Sequence, residues 1–312
     1  NTPGANANAV KELVLAGMLL ACRDIVGGIE WVHDNSDDPE VGKKAEKAKK
    51  QFAGHELAGK TLGVIGLGAI GANVANAARA LGMKVMGYDP YLSINAAWSL
   101  DRSIKHVTDV NDIYAQADFI TVHVPATDQT RGLVGRDAIA RMRAGVVFVN
   151  YARDVLVDEQ AMAEALASGK VARYVTDFAN PASANMKNAI VTPHLGASTA
   201  EAEDNCAIMA VNELRDYIEN GNVRNSVNFG AVDLGPIAGD GRIAIFHKNV
   251  QGMIGGITQV LAETDLNIEN MANKSRGDNA YTLLEVTGKL DDSIAEKIAA
   301  LDNVYRVRVI TR

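Results

Sequence analysis

Two kinds of hydrophobic pattern occur along this chain, and the places where they change divide it. Before residue 61 the pattern is helical. Val10, Leu13, Val14, Gly17, Met18, Ala21, Ile25 and Ile29 recur at helical spacing and predict one long helix over 6–34. Its apolar face is wide enough for a buried helix or a subunit interface. Gly17, Gly27 and Gly28 need close packing to be tolerated in it. From Leu62 to Thr192, short apolar runs suited to buried strands alternate with helical stretches. The runs are Leu62–Ile65, Met83–Asp89, Asp118–Val124, Gly145–Asn150, Val171–Asp177 and Ala189–Thr192. Between them the spacing predicts helices over Ala69–Leu81, Asp109–Gln116, Arg136–Arg143 and Asp158–Ser168, with Gly169 as a stop. Residues 90–105 read as irregular. A last long helix follows over Thr199–Asn220, closed by Gly221. This alternation predicts an α/β fold with a doubly wound parallel sheet, whose ligands lie outside the carboxyl ends of the strands.

Residues 225–240 lose this periodicity and read as a linker. Beyond them the order is strand Arg242–His247, helix Gly252–Thr264, strands Ile268–Ser275 and Tyr281–Val286, helix Asp292–Leu301 and strand Val304–Thr311. That βαββαβ order predicts a small ferredoxin-like domain. The expected division is therefore 1–224, a linker over 225–240, and a second domain over 241–312.

The bulk numbers remove several function classes. The chain has 312 residues, long enough for two domains, and 47% of them are hydrophobic against 22% charged, which suits a packed core. A formal net charge of -7 gives no basic face for nucleic acid. No apolar run reaches 18 residues, so no membrane span is indicated. The two cysteines, Cys22 and Cys206, fall in helical apolar patterns and read as reduced core thiols. No metal-ligand spacing is present. Lys43, Lys44, Lys47, Lys49 and Lys50 form a basic run that reads as a solvated helix face or as a positive rim for a phosphorylated substrate.

Three stretches carry chemistry. The first is Gly66-x-Gly68-x-x-Gly71 with Asp89. Gly66 allows the turn out of the strand, Gly68 lets the backbone approach a pyrophosphate, and Gly71 lets helix and strand pack closely. Asp89 suits two ribose hydroxyls and repels a 2′-phosphate, which favours NAD over NADP. A glycine-rich turn with no ligand is the alternative. The second stretch is Asn150-Tyr-Ala-Arg153, past a strand end, where Arg153 can grip a carboxylate with two parallel hydrogen bonds. The third is Thr192-Pro-His194-Leu-Gly196. Oxidising a secondary alcohol needs a base for the hydroxyl proton, and histidine titrates nearest neutral pH. Of six histidines, His194 alone lies in a Gly/Pro-shaped loop at the active edge of the sheet.

Gly66-x-Gly68-x-x-Gly71, His123-Val-Pro125, Ala152-Arg153, Asp177 and Pro193-His194-x-Gly196 together resemble the D-isomer-specific 2-hydroxyacid dehydrogenases. The resemblance covers essentially the whole chain. It implies a Rossmann-type sheet, NAD as cofactor and a cytoplasmic location. It implies Arg153 on the substrate carboxylate, His194 as general acid/base and Asp177 on the nicotinamide amide. Ala69, Ile70, Asp89, Val124, Pro125, Thr130, Ala152 and Gly196 would line the NAD site with the glycines, and Asn6 would lie where the substrate cleft begins. The C-terminal domain resembles an ACT regulatory domain, with His247, Asn249, Gly252 and Asn267 in the places that bind L-serine between subunits of a homodimer or homotetramer. Members with that domain oxidise 3-phospho-D-glycerate in L-serine biosynthesis. The alternatives are another D-2-hydroxyacid dehydrogenase, a hydroxypyruvate or glyoxylate reductase, and a corepressor-like or amino-acid-sensing protein on the same scaffold.

Two departures from the family pattern follow. Its histidine usually has a Glu partner, whereas here Asp177 is the one carboxylate between Thr176 and His194, and Asn180 is the expected neutral replacement. The family also carries a substrate lobe ahead of the nucleotide domain. A lobe on the order of 80–100 residues is expected to be missing or disordered here.

Overall fold

The computed structural model describes residues 1–311 and divides into two compact units, Gly4–Glu203 and Asn1–Pro3 with Asp204–Arg312. The first unit opens with α1 (Ala7–Cys22), α2 (Ile25–Asp34) and α3 (Val41–Ala48). The helix expected over 6–34 is thus two. Arg23 is extended, and the Asp24 carboxylate accepts from Gly27 N at 3.2 Å, which starts a new helix. The face predicted as buried or interfacial splits accordingly. Val10, Val14 and Met18 on α1 are buried, while Ile25, Val26, Ile29 and Val32 on α2 are exposed.

The sheet follows. In chain order it runs β1 (Thr61–Ile65), α4 (Ala69–Ala80), β2 (Lys84–Tyr88), α5 (Ile94–Ser99), β3 (Lys105–His106), α6 (Val110–Gln116) and β4 (Phe119–Val122). It continues with α7 (Arg136–Arg141), β5 (Val146–Asn150), α8 (Glu159–Ser168), β6 (Val171–Thr176), α9 (Pro181–Ala184) and β7 (Ala189–Val191). All seven strands are parallel, in the order β3-β2-β1-β4-β5-β6-β7. This is the doubly wound sheet expected from the pattern. The stretch read as irregular contains α5, capped by Ser93 Oγ on Ala96 N, and the two-residue β3, too short for any periodicity.

Alternation along the strands divides the core between two faces. Leu62, Val64, Val149 and Val175 pack with Val14, Met18 and Val74 on one side. Ile65, Ile120, Phe148 and Tyr174 pack with Ile113, Met162 and Leu166 on the other. Gly17 is the point of closest approach on the first side. A Cβ there would lie 2.6 Å from the Tyr151 hydroxyl and 2.8 Å from Val175 Cγ1. Close packing is therefore what the helical glycine serves. Gly17→Ala is expected to cost about 1–3 kcal/mol through overpacking, read as a lowered thermal midpoint. Adding Tyr151→Phe should recover part of it, because the hydroxyl is the nearer obstacle.

α10 (Ala200–Asn220) leads from the first unit into the second. There β8 (Gly241–Lys248), α11 (Met253–Ala262), β9 (Asn267–Arg276), β10 (Asn279–Thr287), α12 (Asp292–Ala299) and β11 (Val304–Thr311) form an antiparallel sheet in the order β11-β8-β10-β9. Element order and strand order are those of a ferredoxin-like fold. Residues 225–240, read as a linker, are an ordered strap. Val223 and Val232 form a bridge, and the Phe229 ring packs 5.0 Å from Phe246. Arg242 is fully buried beneath the strap. It donates to the carbonyls of Asn220, Leu234, Gly235 and Pro236 and to the Glu285 carboxylate at 2.8 Å. Glu285 in turn accepts from Ala238 N and Gly239 N. No described helix is long and apolar enough to cross a membrane.

Candidate active site

β1 is buried from Leu62 to Ile65 and ends at Gly66, whose φ of +91° is open to glycine at little cost. The next requirement is closeness. A Cβ on Gly71 would stand 1.9 Å from the Gly66 carbonyl oxygen, so α4 can begin here only with glycine at that position. Gly68 faces open space, and no side chain caps the first turn of α4. The amides of Ala69, Ile70 and Gly71 therefore point their partial positive charge at an unobstructed cradle, which suits a pyrophosphate.

Asp89 follows the end of β2. One carboxylate oxygen accepts from Leu67 N at 2.9 Å and the other from Tyr91 N at 2.8 Å. Both oxygens retain a lone pair for ribose hydroxyls. Val124 packs beside Gly66. The Pro125–Thr130 loop closes on itself, with Thr130 Oγ1 donating to Pro125 O at 2.6 Å and Thr127 N donating to Thr130 Oγ1 at 2.8 Å. Thr130 thus shapes the rim through its hydroxyl. Burial pushes His123 down to about 4, so this imidazole is neutral near physiological pH, with one ring nitrogen 2.9 Å from Thr121 Oγ1.

Three further groups come from the carboxyl ends of β5, β6 and β7, which are neighbours in the sheet. Asn150 is buried. It accepts from Ala152 N at 3.1 Å and donates to Arg153 O at 2.9 Å, a turn that projects Arg153 outward. Arg153 is exposed and has no ion pair among the described residues; one guanidinium nitrogen bonds Ala152 O at 2.6 Å. Asp177 is 1% exposed, and its Oδ2 accepts from Gly196 N at 2.9 Å. Its Oδ1 is buried without a partner. A buried carboxylate oxygen left unmatched is costly, and a carboxamide N–H is a suitable match. The Asp177–Gly196 bond holds the loop that carries His194, which is exposed and meets the Phe178 ring edge-on at 4.9 Å.

Asn6 caps α1 by position. Two residues before it, Gly4 lies against Ala69 at the start of α4. Asn180 does not serve His194. Its Oδ1 accepts from Ala182 N and Ser183 N at 2.8 and 2.9 Å as the cap of α9, and its Nδ2 donates to Glu159. The Asn-Pro-x-Ser spacing is a helix cap, and that local use takes the amide away from the imidazole. The sequence pattern gives Phe178, just past the strand predicted over Val171–Asp177, no role, and its ring lies against His194. The basic run is largely paired: Lys43 with Glu40, Lys44 with Asp38 and Lys49 with Glu46, as a solvated face would be. In the second unit, His247 is buried with one ring nitrogen 2.8 Å from Lys248 O and the other 2.8 Å from Thr282 Oγ1. Asn249 donates to Gly277 O and Asn267 to Glu269, while Gly252 opens α11 uncapped.

Residues 15–196 match the family described as D-isomer specific 2-hydroxyacid dehydrogenase, NAD binding domain. The chain belongs to that family. NAD is its cofactor, and the glycine cradle, Asp89 and the unmatched Asp177 oxygen fit it. Among relatives of this chain, a D-3-phosphoglycerate dehydrogenase of Methanocaldococcus jannaschii is 39% identical over 73% of this chain and 42% of its own length. One from Haemophilus influenzae is 31% identical over 99% of this chain and 75% of its own. The chain thus spans less than half of the archaeal relative. Among solved structures, a glyoxylate reductase from Paecilomyes thermophila superposes with a TM-score of 0.60 at 31% identity, over 72% of this chain and 66% of that one.

Asp89→Ser is expected to raise the NAD dissociation constant about tenfold or more, since it removes charged hydrogen bonds. It should also bring NADP and NAD affinities closer together, as read by cofactor titration.

Proposed function

We propose that this dehydrogenase oxidises 3-phospho-D-glycerate to 3-phosphohydroxypyruvate, the entry to L-serine synthesis in the cytoplasm. The carrying observation is the convergence of Arg153, without an ion pair among the described residues, Asp177 and His194 on three adjacent strand ends. Arg153 grips the substrate carboxylate and turns the 2-hydroxyl toward His194. His194 accepts the hydroxyl proton on oxidation and returns it on reduction. NAD, when bound, supplies the hydride acceptor. Asn6 borders the substrate side. The two D-3-phosphoglycerate dehydrogenase relatives support the phosphorylated substrate, and the glyoxylate reductase keeps a short 2-keto acid as the second reading. Steady-state reduction of 3-phosphohydroxypyruvate, hydroxypyruvate, glyoxylate and pyruvate tests it. A higher kcat/KM for any unphosphorylated acid sinks the first reading in favour of the second.

The ferredoxin-like unit is read as an ACT-type regulatory part with L-serine as effector, in a homodimer or homotetramer. Its topology supports the first point, and the exposed apolar face of α2 supports self-association. Of the expected effector residues, His247, Asn249 and Asn267 spend their polar atoms within the unit. Serine binding there requires these bonds to be exchanged for bonds to ligand. Calorimetric titration with L-serine decides the point, and absence of binding ends it.

A further inference from the structure

We infer that Phe178 is the positioning residue of His194, orienting the imidazole by ring contact. The inference rests on the proposed role of His194 as proton carrier. Among the described residues no hydrogen bond reaches either ring nitrogen of His194; its carbonyl oxygen accepts from Ser198 Oγ at 3.4 Å. Orientation of the ring then falls to Phe178, whose centroid lies 4.9 Å away with the planes at 61°. Edge-to-face geometry at that separation is the favoured one for aromatic pairs, and an aromatic face also favours a cation formed beside it.

Phe178 is itself held. Its N–H donates to Thr176 Oγ1 at 3.2 Å, and its carbonyl accepts from Ser183 Oγ at 3.0 Å. Thr176 and Ser183 are both buried. The preceding Asp177 grips Gly196 N at 2.9 Å. Two successive residues therefore hold the His194–Gly196 loop at two points, one polar at the backbone and one aromatic at the reacting ring. Asn180, the side chain expected to partner the imidazole, is spent on the cap of α9 and on Glu159. An imidazole held by edge-to-face ring contact keeps both nitrogens free, one for the substrate proton and one for water.

Phe178→Leu removes the ring, and Phe178→Tyr keeps it. The carbon-bound ring protons of His194, assigned by their loss in His194→Gln, are followed by NMR in the whole chain, alongside NADH affinity and keto-acid reduction. Wild type and Phe178→Tyr should share ring-shifted resonances, and Phe178→Leu should move them to the positions of exposed histidines. In Phe178→Leu, kcat should fall about tenfold, with KM and the NADH dissociation constant within about twofold of wild type. Coincident His194 resonances in wild type and Phe178→Leu overturn the inference. So does an unchanged kcat, or a fall in NADH affinity that matches the fall in rate. Full turnover in His194→Gln would end the proton-carrier reading on its own, while the ring resonances still decide whether Phe178 orients the imidazole.

Discussion

His194→Gln is expected to slow keto-acid reduction by about 100- to 10,000-fold, the range that a positioned general acid contributes. NADH affinity should stay within about twofold. The groups proposed to hold the cofactor's phosphates and ribose are Gly66–Gly71 and Asp89, and none of their hydrogen bonds involves His194. The loop should also keep its place, because Gly196 N is held by Asp177 whatever occupies 194. The split is diagnostic. A parallel loss of NADH affinity would mean that the histidine supports the loop and does not carry the proton. Single-turnover reduction alongside a fluorescence titration separates the two outcomes.

Arg242→Met should have the largest effect on stability. The guanidinium is fully buried and answers four carbonyls and a carboxylate. Its loss strands Glu285 as a buried unpaired charge, and breaking such a pair from one side costs about 3–5 kcal/mol. Replacing both members, Arg242→Met with Glu285→Leu, should destabilise less than the single change. Hydrogen exchange of the β8 and β10 amides isolates the effect in the C-terminal unit. The pair also predicts an acid response. Burial alone would raise the Glu285 carboxyl; the bonds from Arg242, Gly239 and Ala238 outweigh it and hold the group below the usual carboxylate range. A depressed carboxyl contributes stability above its unfolded value, about 4.3, and the contribution is lost as pH falls toward the folded one. The C-terminal unit of the wild type should therefore weaken below about pH 4.3, and the double variant should lose this part of the dependence.

Much of the sheet was legible because each strand is a short apolar run between polar or glycine stops, and both faces are covered. Leu62–Ile65 and Gly145–Asn150 needed only that pattern. What escaped was set by local polar chemistry. Asp24 splits a helix whose hydrophobic period runs straight through it. Ser93 and Asn180 start helices of six and four residues, too short to show a period. In the site, glycine spacing and the acid after β2 carried their own physical meaning. Asn180 looked free because sequence shows a side chain's chemistry and not which neighbour has claimed it. Phe178 was hidden for a related reason, since a phenylalanine after a buried strand reads as core until its ring is seen against His194.

The strap over Arg242 bears on where the chain can be cut. A fragment beginning at Gly241, the boundary that composition suggests, keeps the arginine and Glu285 but loses the carbonyls of Asn220, Leu234, Gly235 and Pro236, together with the Phe229 ring. A piece beginning near Asp204 carries its own lid. For expression of the C-terminal unit alone, the natural seam lies inside a helix, at a point no loop marks.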